Sequence, residues 1–182
     1  MHMALPSTIY RFHIDLSDVD RNQYDTFECR VAQHPSESDI YLVTRMIAYA
    51  LHRSDGIEFS RSGLCDPSDP PLLARDLTGQ IILWIDIGQP STERVHKASK
   101  SAKEVIIYTY KNPQHLMEAI AKADVHRAEE VRCYSLAPEF LESIGRDLTR
   151  NNKWTVVRTE GTLFVETGHG SYDGQLVPHR LG

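Results

Sequence analysis

Asp76 and Asp86 flank and interrupt the most apolar run of the chain, Ile81-Ile82-Leu83-Trp84-Ile85-Asp86-Ile87. A carboxylate inside such a run is costly to bury unless it is paired or bound to a cation. Asp76 precedes the turn Leu77-Thr78-Gly79, so the segment reads as an acidic strand–turn–strand. If the two carboxylates converge, their oxygens suit a hard cation such as Mg²⁺, with Mn²⁺ as its substitute. A cation so held activates water and stabilises charge on a phosphodiester. The competing reading is structural: Asp76 caps the turn and Asp86 ends a strand, hydrogen-bonded to backbone. Spacing alone leaves both open.

The segment after this strand, from Pro90-Ser91-Thr92-Glu93 to about Lys103, reads as a helix carrying Arg94, Lys97, Lys100 and Lys103. Such a basic row could meet a phosphate backbone. Equally, Glu93 and Lys97 stand at i,i+4 and could form an ordinary surface pair. At 100° per residue Val95, Ala98 and Ala102 share one side, and Lys97 falls well away from it. Glu37 is placed in the first turn of a helix that starts at Ser36, where the helix dipole favours an acid. The nine histidines form no metal-binding spacing, and Cys29, Cys65 and Cys133 form no CxxC pair. Neither a disulfide framework nor a cysteine zinc site is indicated. No P-loop, GxGxxG, GxSxG or HExxH is present.

Holding these residues calls for an α/β framework. Alternating apolar residues predict strands over Thr8–Leu16 and Thr26–Ala32, joined as an opening antiparallel hairpin. A helix with Ile40, Val43, Ile47, Ala50 and Leu51 on its buried stripe runs to about His52. A short strand covers Gly56–Ser60, and the proline-rich Cys65–Pro71 is a surface loop. Strands at Ile81–Ile87, Val105–Tyr110 and Val131–Leu136 alternate with helices, which implies a partly parallel sheet covered on both faces. The helix after Val105–Tyr110 is capped by Asn112-Pro113. A helix over Pro138–Arg150 follows, then a hairpin of Trp154–Arg158 and Thr162–Glu166, then an irregular tail from Gly168. The expected fold is therefore mixed α/β (α+β): a mixed sheet flanked by helices, with antiparallel hairpins at the chain ends.

The chain has 182 residues, which predicts a single domain spanning 1–182. Met1-His2-Met3 offers two initiators and suggests a cloning remnant. With 41% hydrophobic and 25% charged residues, the chain has the make-up of an ordinary globular protein. No apolar run approaches the ~20 residues of a membrane span, and the cysteine pattern suits a reducing cytoplasm. The net charge of −5 argues against nucleic-acid binding over the whole surface and leaves room only for a local basic patch.

Several stretches together resemble the YaeQ family, small proteins of Gram-negative bacteria. They are Ala4 to Asn22, His34-Pro35-Ser36-Glu37, Phe59-Ser60-Arg61 with Gly63-Leu64-Cys65, Leu83 to Gly88, Pro90, Lys97-Ala98, and Glu104-Val105 through Thr109-Tyr110. The resemblance implies a compact variant of the PD-(D/E)XK nuclease fold, with a restriction-endonuclease-like core. In that superfamily a sheet carries one acid, then a second acid with lysine two residues later, and a helix supplies a further acid. Carried over, Asp76 is the first acid, Asp86 the second and Glu37 the helix acid. Gly88 stands where the lysine belongs, so Lys97 becomes the candidate amine. The resemblance thus implies a Mg²⁺-dependent nuclease, with Asp76, Asp86 and the Ile87 carbonyl holding the metal. The alternative is a non-catalytic protein of the same fold that binds nucleic acid, through Arg94, Lys97 and Lys100, or binds a protein partner.

Overall fold

The computed structural model describes residues 5–61 and 68–181. The first four residues, including the suspected cloning remnant, lie outside these, as do Cys65, Asp66 and Pro67 of the proline-rich loop. Strand β1 (Thr8–Asp18) turns through Asn22 into β2 (Gln23–Gln33), giving the expected antiparallel hairpin. Helix α1 (Asp39–Leu51) follows. Short β3 (Glu58–Phe59), β4 (Leu72–Arg75) and β5 (Ile81–Ile87) come next. Then α2 (Thr92–Ser101), β6 (Ala102–Thr109), α3 (Pro113–Lys122), β7 (Arg132–Ser135) and α4 (Pro138–Arg146) alternate. The chain closes with β8 (Asn151–Thr159), β9 (Thr162–Glu166), β10 (Ser171–Gln175) and β11 (Val177–His179).

The strands form two mixed sheets rather than the single one expected. One is ordered β10-β9-β8-β1-β2 and the other β11-β7-β6-β5-β4-β3. The two chain ends build the first sheet together, because β1 pairs in parallel with β8. The segment from Gly168 is not irregular. Tyr172 packs against the core, Leu176 is buried, and Gly174 lies where a Cβ would strike the Phe140 ring, so β10 is pinned to α4.

Helix α1 is apolar nearly all round, as a helix between two sheets must be. Leu42, Val43, Met46, Ile47, Ala50 and Leu51 are all buried, in one cluster with Phe12, Ile14, Trp154, Ile85, Ile87 and Ile106. The other face of the second sheet carries a separate cluster, in which Trp84, Val105 and Ile107 meet Val95 and Ala98 of α2 and Leu116 and Ile120 of α3. β5 is thus an interior strand covered on both sides, as its composition predicts. Helix α1 is capped by Ser38, whose side chain accepts from Tyr41 N. The helix therefore starts later than the spacing of Ser36 and Asp39 suggests, and Glu37 precedes it instead of lying in its first turn.

One buried polar chain ties α1 to the second sheet. His52 Nε2 lies 2.8 Å from the Tyr108 hydroxyl, and Nδ1 lies 2.8 Å from Asp55 Oδ2. Burial pushes the His52 imidazole below its ordinary value of 6.5, against the opposing pull of Asp55. A lowered histidine means that protonation costs the folded state. Stability is then full above pH 6.5 and declines as the pH falls below it. Melting temperature should drop between about pH 7 and pH 5, above the range where carboxylates titrate, and His52→Gln should flatten that drop. An equal decline in both proteins would place the acid sensitivity elsewhere.

Candidate functional site at the end of strand β5

Strand alternation puts Trp84 and Asp86 on the α2 face of β5, while Ile85 and Ile87 enter the core around α1. Asp86 is buried, with its side chain only 4% exposed. Its Oδ2 accepts from the Trp84 indole N–H at 3.0 Å, and its Oδ1 accepts from Arg94 Nε at 2.8 Å. Arg94 comes from the first turn of α2, which Ser91 caps. The same guanidinium donates to the main-chain carbonyl of Asp69 at 2.8 Å and lies over the Trp84 ring at 5.7 Å. Burial pushes the Asp86 carboxyl above its usual range, while Arg94 and the indole hold it down.

A second buried pair stands on the α1 side. Glu37, with its side chain 1% exposed, lies 3.0 Å from Arg45. Arg45 also donates to the Ala32 carbonyl at 2.9 Å. Glu37 Oε1 accepts from Arg45, but among the described residues Glu37 Oε2 and Arg45 Nε have no hydrogen-bond partner. Burial raises the Glu37 carboxyl, against the pull of Arg45. The two pairs converge on Tyr41: its hydroxyl is raised by burial and feels Arg45, Glu37, Asp86 and Arg94 together. Tyr110 stands beside Gly88, with its hydroxyl oxygen 3.6 Å from where a Cβ there would lie, and that hydroxyl pairs with Ser38.

The candidate residues divide cleanly. Glu37 and Asp86 are each buried in an ion pair with an arginine, and both act electrostatically on Tyr41. Asp76 is not among them, because β4 and β5 are antiparallel and Arg75 pairs with Ile81, at the opposite end of β5 from Asp86. Five residues of strand separate Ile81 from Asp86, about 17 Å at ~3.3 Å per residue. A single cation cannot span that gap, so a shared Asp76/Asp86 site does not fit this structure. Asp76 does the work of a turn: its Oδ1 accepts from Thr78 N and Gln80 N, Gly79 sits at φ +87°, and Lys103 is 4.0 Å away. Lys97 is exposed on α2, with no ion pair to Glu93. Ile87 has its side chain in the core, and its backbone pairs with Tyr108. At Gly88 the φ of +86° disfavours any lysine. Among the described residues no three His, Cys, Asp or Glu side chains are grouped to hold a metal.

Sequence reasoning missed Arg45 and Tyr41, and also Asp69. The hairpin itself held the signal for Asp69. Leu72 pairs with Ile85, so the residues before β4, not after it, run beside the end of β5. Removing Arg94 should therefore be felt and removing Asp76 barely felt. Arg94→Ala leaves a buried carboxylate unpaired, at a cost on the order of 3 kcal/mol. Asp76→Asn keeps a turn acceptor and should leave stability nearly unchanged. Urea unfolding of the two variants checks this, and equal losses would count against the site described here.

The sequence profile of the family described as YaeQ protein matches residues 3–176. YaeQ of Escherichia coli (strain K12) is 36% identical over 108 residues, and YaeQ of Salmonella typhi 32% over the same length. Each match spans 59% of this chain and 59% of the relative, so the alignment covers under two thirds of either. The crystal structure of YaeQ from Xanthomonas axonopodis pv. citri aligns with a TM-score of 0.88 at 32% identity, over 97% of this chain and 99% of that one. That from Pseudomonas syringae aligns at 0.87 and 29% identity, over 97% of each. With the family profile matched across nearly the whole length and solved members sharing the fold, the chain belongs to the YaeQ family.

Proposed function

We propose that this protein binds the phosphate backbone of nucleic acid without cutting it, on a nuclease-type fold in which Arg94 fills the place of the catalytic cation. The observation that carries this reading is the bridge made by Arg94 between the Asp86 carboxylate and the Asp69 main-chain carbonyl. Carboxylate and carbonyl oxygens are what Mg²⁺ takes as ligands. A fixed guanidinium on them supplies positive charge but no exchangeable water to attack a phosphodiester. Gly88 offers no amine, and Lys97 points to solvent. Lys97 and Lys100 are exposed on α2, one turn apart, and give phosphates a local landing place on an acidic chain. A cytoplasmic location goes with this reading.

A second reading follows from two buried carboxylates, Glu37 and Asp86, that both act on the Tyr41 phenol. It is Mg²⁺-dependent phosphodiester hydrolysis, with Glu37, Asp86 and a carbonyl of Asp69 or Ile87 as the metal's ligands. A bound Mg²⁺ would supply an activated water and offset phosphate charge. For these oxygens to be available, both guanidinium groups would have to leave the carboxylates.

Fluorescence anisotropy on DNA and RNA at several salt concentrations separates the two. Binding should weaken with salt, and Lys97→Ala should lower the log–log salt slope by about one. No cleavage should appear with Mg²⁺ or Mn²⁺. Cleavage that Asp86→Asn abolishes would establish the hydrolytic reading instead. Binding unchanged in a Lys97→Ala, Lys100→Ala double variant would remove α2 from the interface.

A further inference from the structure

The sheet β10-β9-β8-β1-β2 buries Phe12, Ile14 and Leu16 against α1 and leaves its other face open. The register lays out that open face in rows. Arg30, Arg11 and Asn151 form one row, Glu28, His13 and Lys153 the next, and Thr26, Asp15 and Thr155 a third. The acids in the second and third rows are engaged. His13 Nδ1 is 3.1 Å from Glu28 Oε1, and Thr26 Oγ1 donates to Asp15 at 2.8 Å.

The first row is different. Arg11 and Arg30 are directly opposite each other on paired strands, an arrangement of like charges that destabilises a sheet. Among the described residues neither guanidinium has a hydrogen bond or ion pair, and nor has the Lys153 ammonium on the adjoining strand. A chain with 25 acidic against 20 basic residues has carboxylates to spare, yet none is set against these three. Together with His13, Glu28 and Asn151 they line a cleft of about 560 Å³, a size that suits a small molecule, and the Glu28 carboxylate there is taken up by His13. Two adjacent guanidinium forks match phosphate oxygens in bidentate geometry.

We infer that this cleft binds a small phosphorylated ligand through Arg11, Arg30 and Lys153. The site lies on a different sheet from the Asp86 cluster and does not rest on the proposed function. A continuous nucleic-acid backbone suits it poorly, because Asp15 and Glu166 follow on the same face and would repel phosphates beyond the cleft.

Pyrophosphate at constant ionic strength is the probe. A hundredfold excess over Kd should raise the melting temperature by roughly 5–10 °C. The Arg11→Gln, Arg30→Gln double variant should show no rise, and without ligand it should melt no lower than wild type, since repulsion has been relieved. Lys97→Ala, on α2, should keep the full rise. The inference is overturned by no shift in wild type, by an equal shift in the double variant, or by sodium chloride giving the same shift. It is also overturned if a ten-nucleotide oligothymidylate, and not pyrophosphate, loses affinity on removing the two arginines.

Discussion

Asp86 cannot sit at the end of a covered strand as a bare charge, and the way it is neutralised organises everything near it. Arg94 reaches it from α2, Trp84 supplies an indole N–H two residues back along the same face, and the Asp69 carbonyl holds the far side of the guanidinium. Breaking such a pair costs more than its formation contributes, because the surviving charge stays buried. The start of α2, the approach to β4 and the end of β5 are therefore held in one arrangement. On the other side of the strand end, Glu37 and Arg45 repeat the device between the approach to α1 and its second turn.

Placing two buried ion pairs at this point is expensive if packing were all that mattered. Apolar residues of similar volume often do as well or better. Ionisable groups collected at a strand end are a common mark of a functional site. The cluster is also electrically balanced, with two carboxylates against two guanidinium groups. It therefore draws neither anions nor cations strongly from solution, which is why binding is assigned to the exposed lysines of α2 beside it. The contrast with the open sheet face is instructive, because there Arg11 and Arg30 have no counter-charge of their own.

Much of this was legible in the sequence, and the failures have physical causes. The Ile81–Ile87 run announces an interior strand because six apolar residues around one acid fit nothing else well. The same run marked Asp86 as a buried charge needing a partner. Glu37 was singled out for a wrong local reason, a helix start, since Ser38 outcompetes Ser36 as cap. The pairing of Asp76 with Asp86, which the resemblance implies, does not fit the antiparallel register of β4 and β5. In an antiparallel hairpin, residues equidistant from the turn face each other, and these two are not. Two sheets could not be read from strand composition, because the parallel pairing of β1 with β8 joins residues far apart in the chain. Arg94 looked like one member of a basic row, since nothing in spacing says which cation of a helix turns inward. Its place at the first turn, beside the strand end, was the available cue.

The proposal that the Arg94 guanidinium takes the place of a cation is tested most directly by isothermal titration with Mg²⁺. Wild type should show no binding at a few millimolar, because Arg94 already satisfies Asp86 and the Asp69 carbonyl. Arg94→Ala should gain Mg²⁺ binding and recover part of its lost stability when the cation is added, by mass action on the folded state. Wild-type protein that binds Mg²⁺, with no gain in Arg94→Ala, would contradict the account.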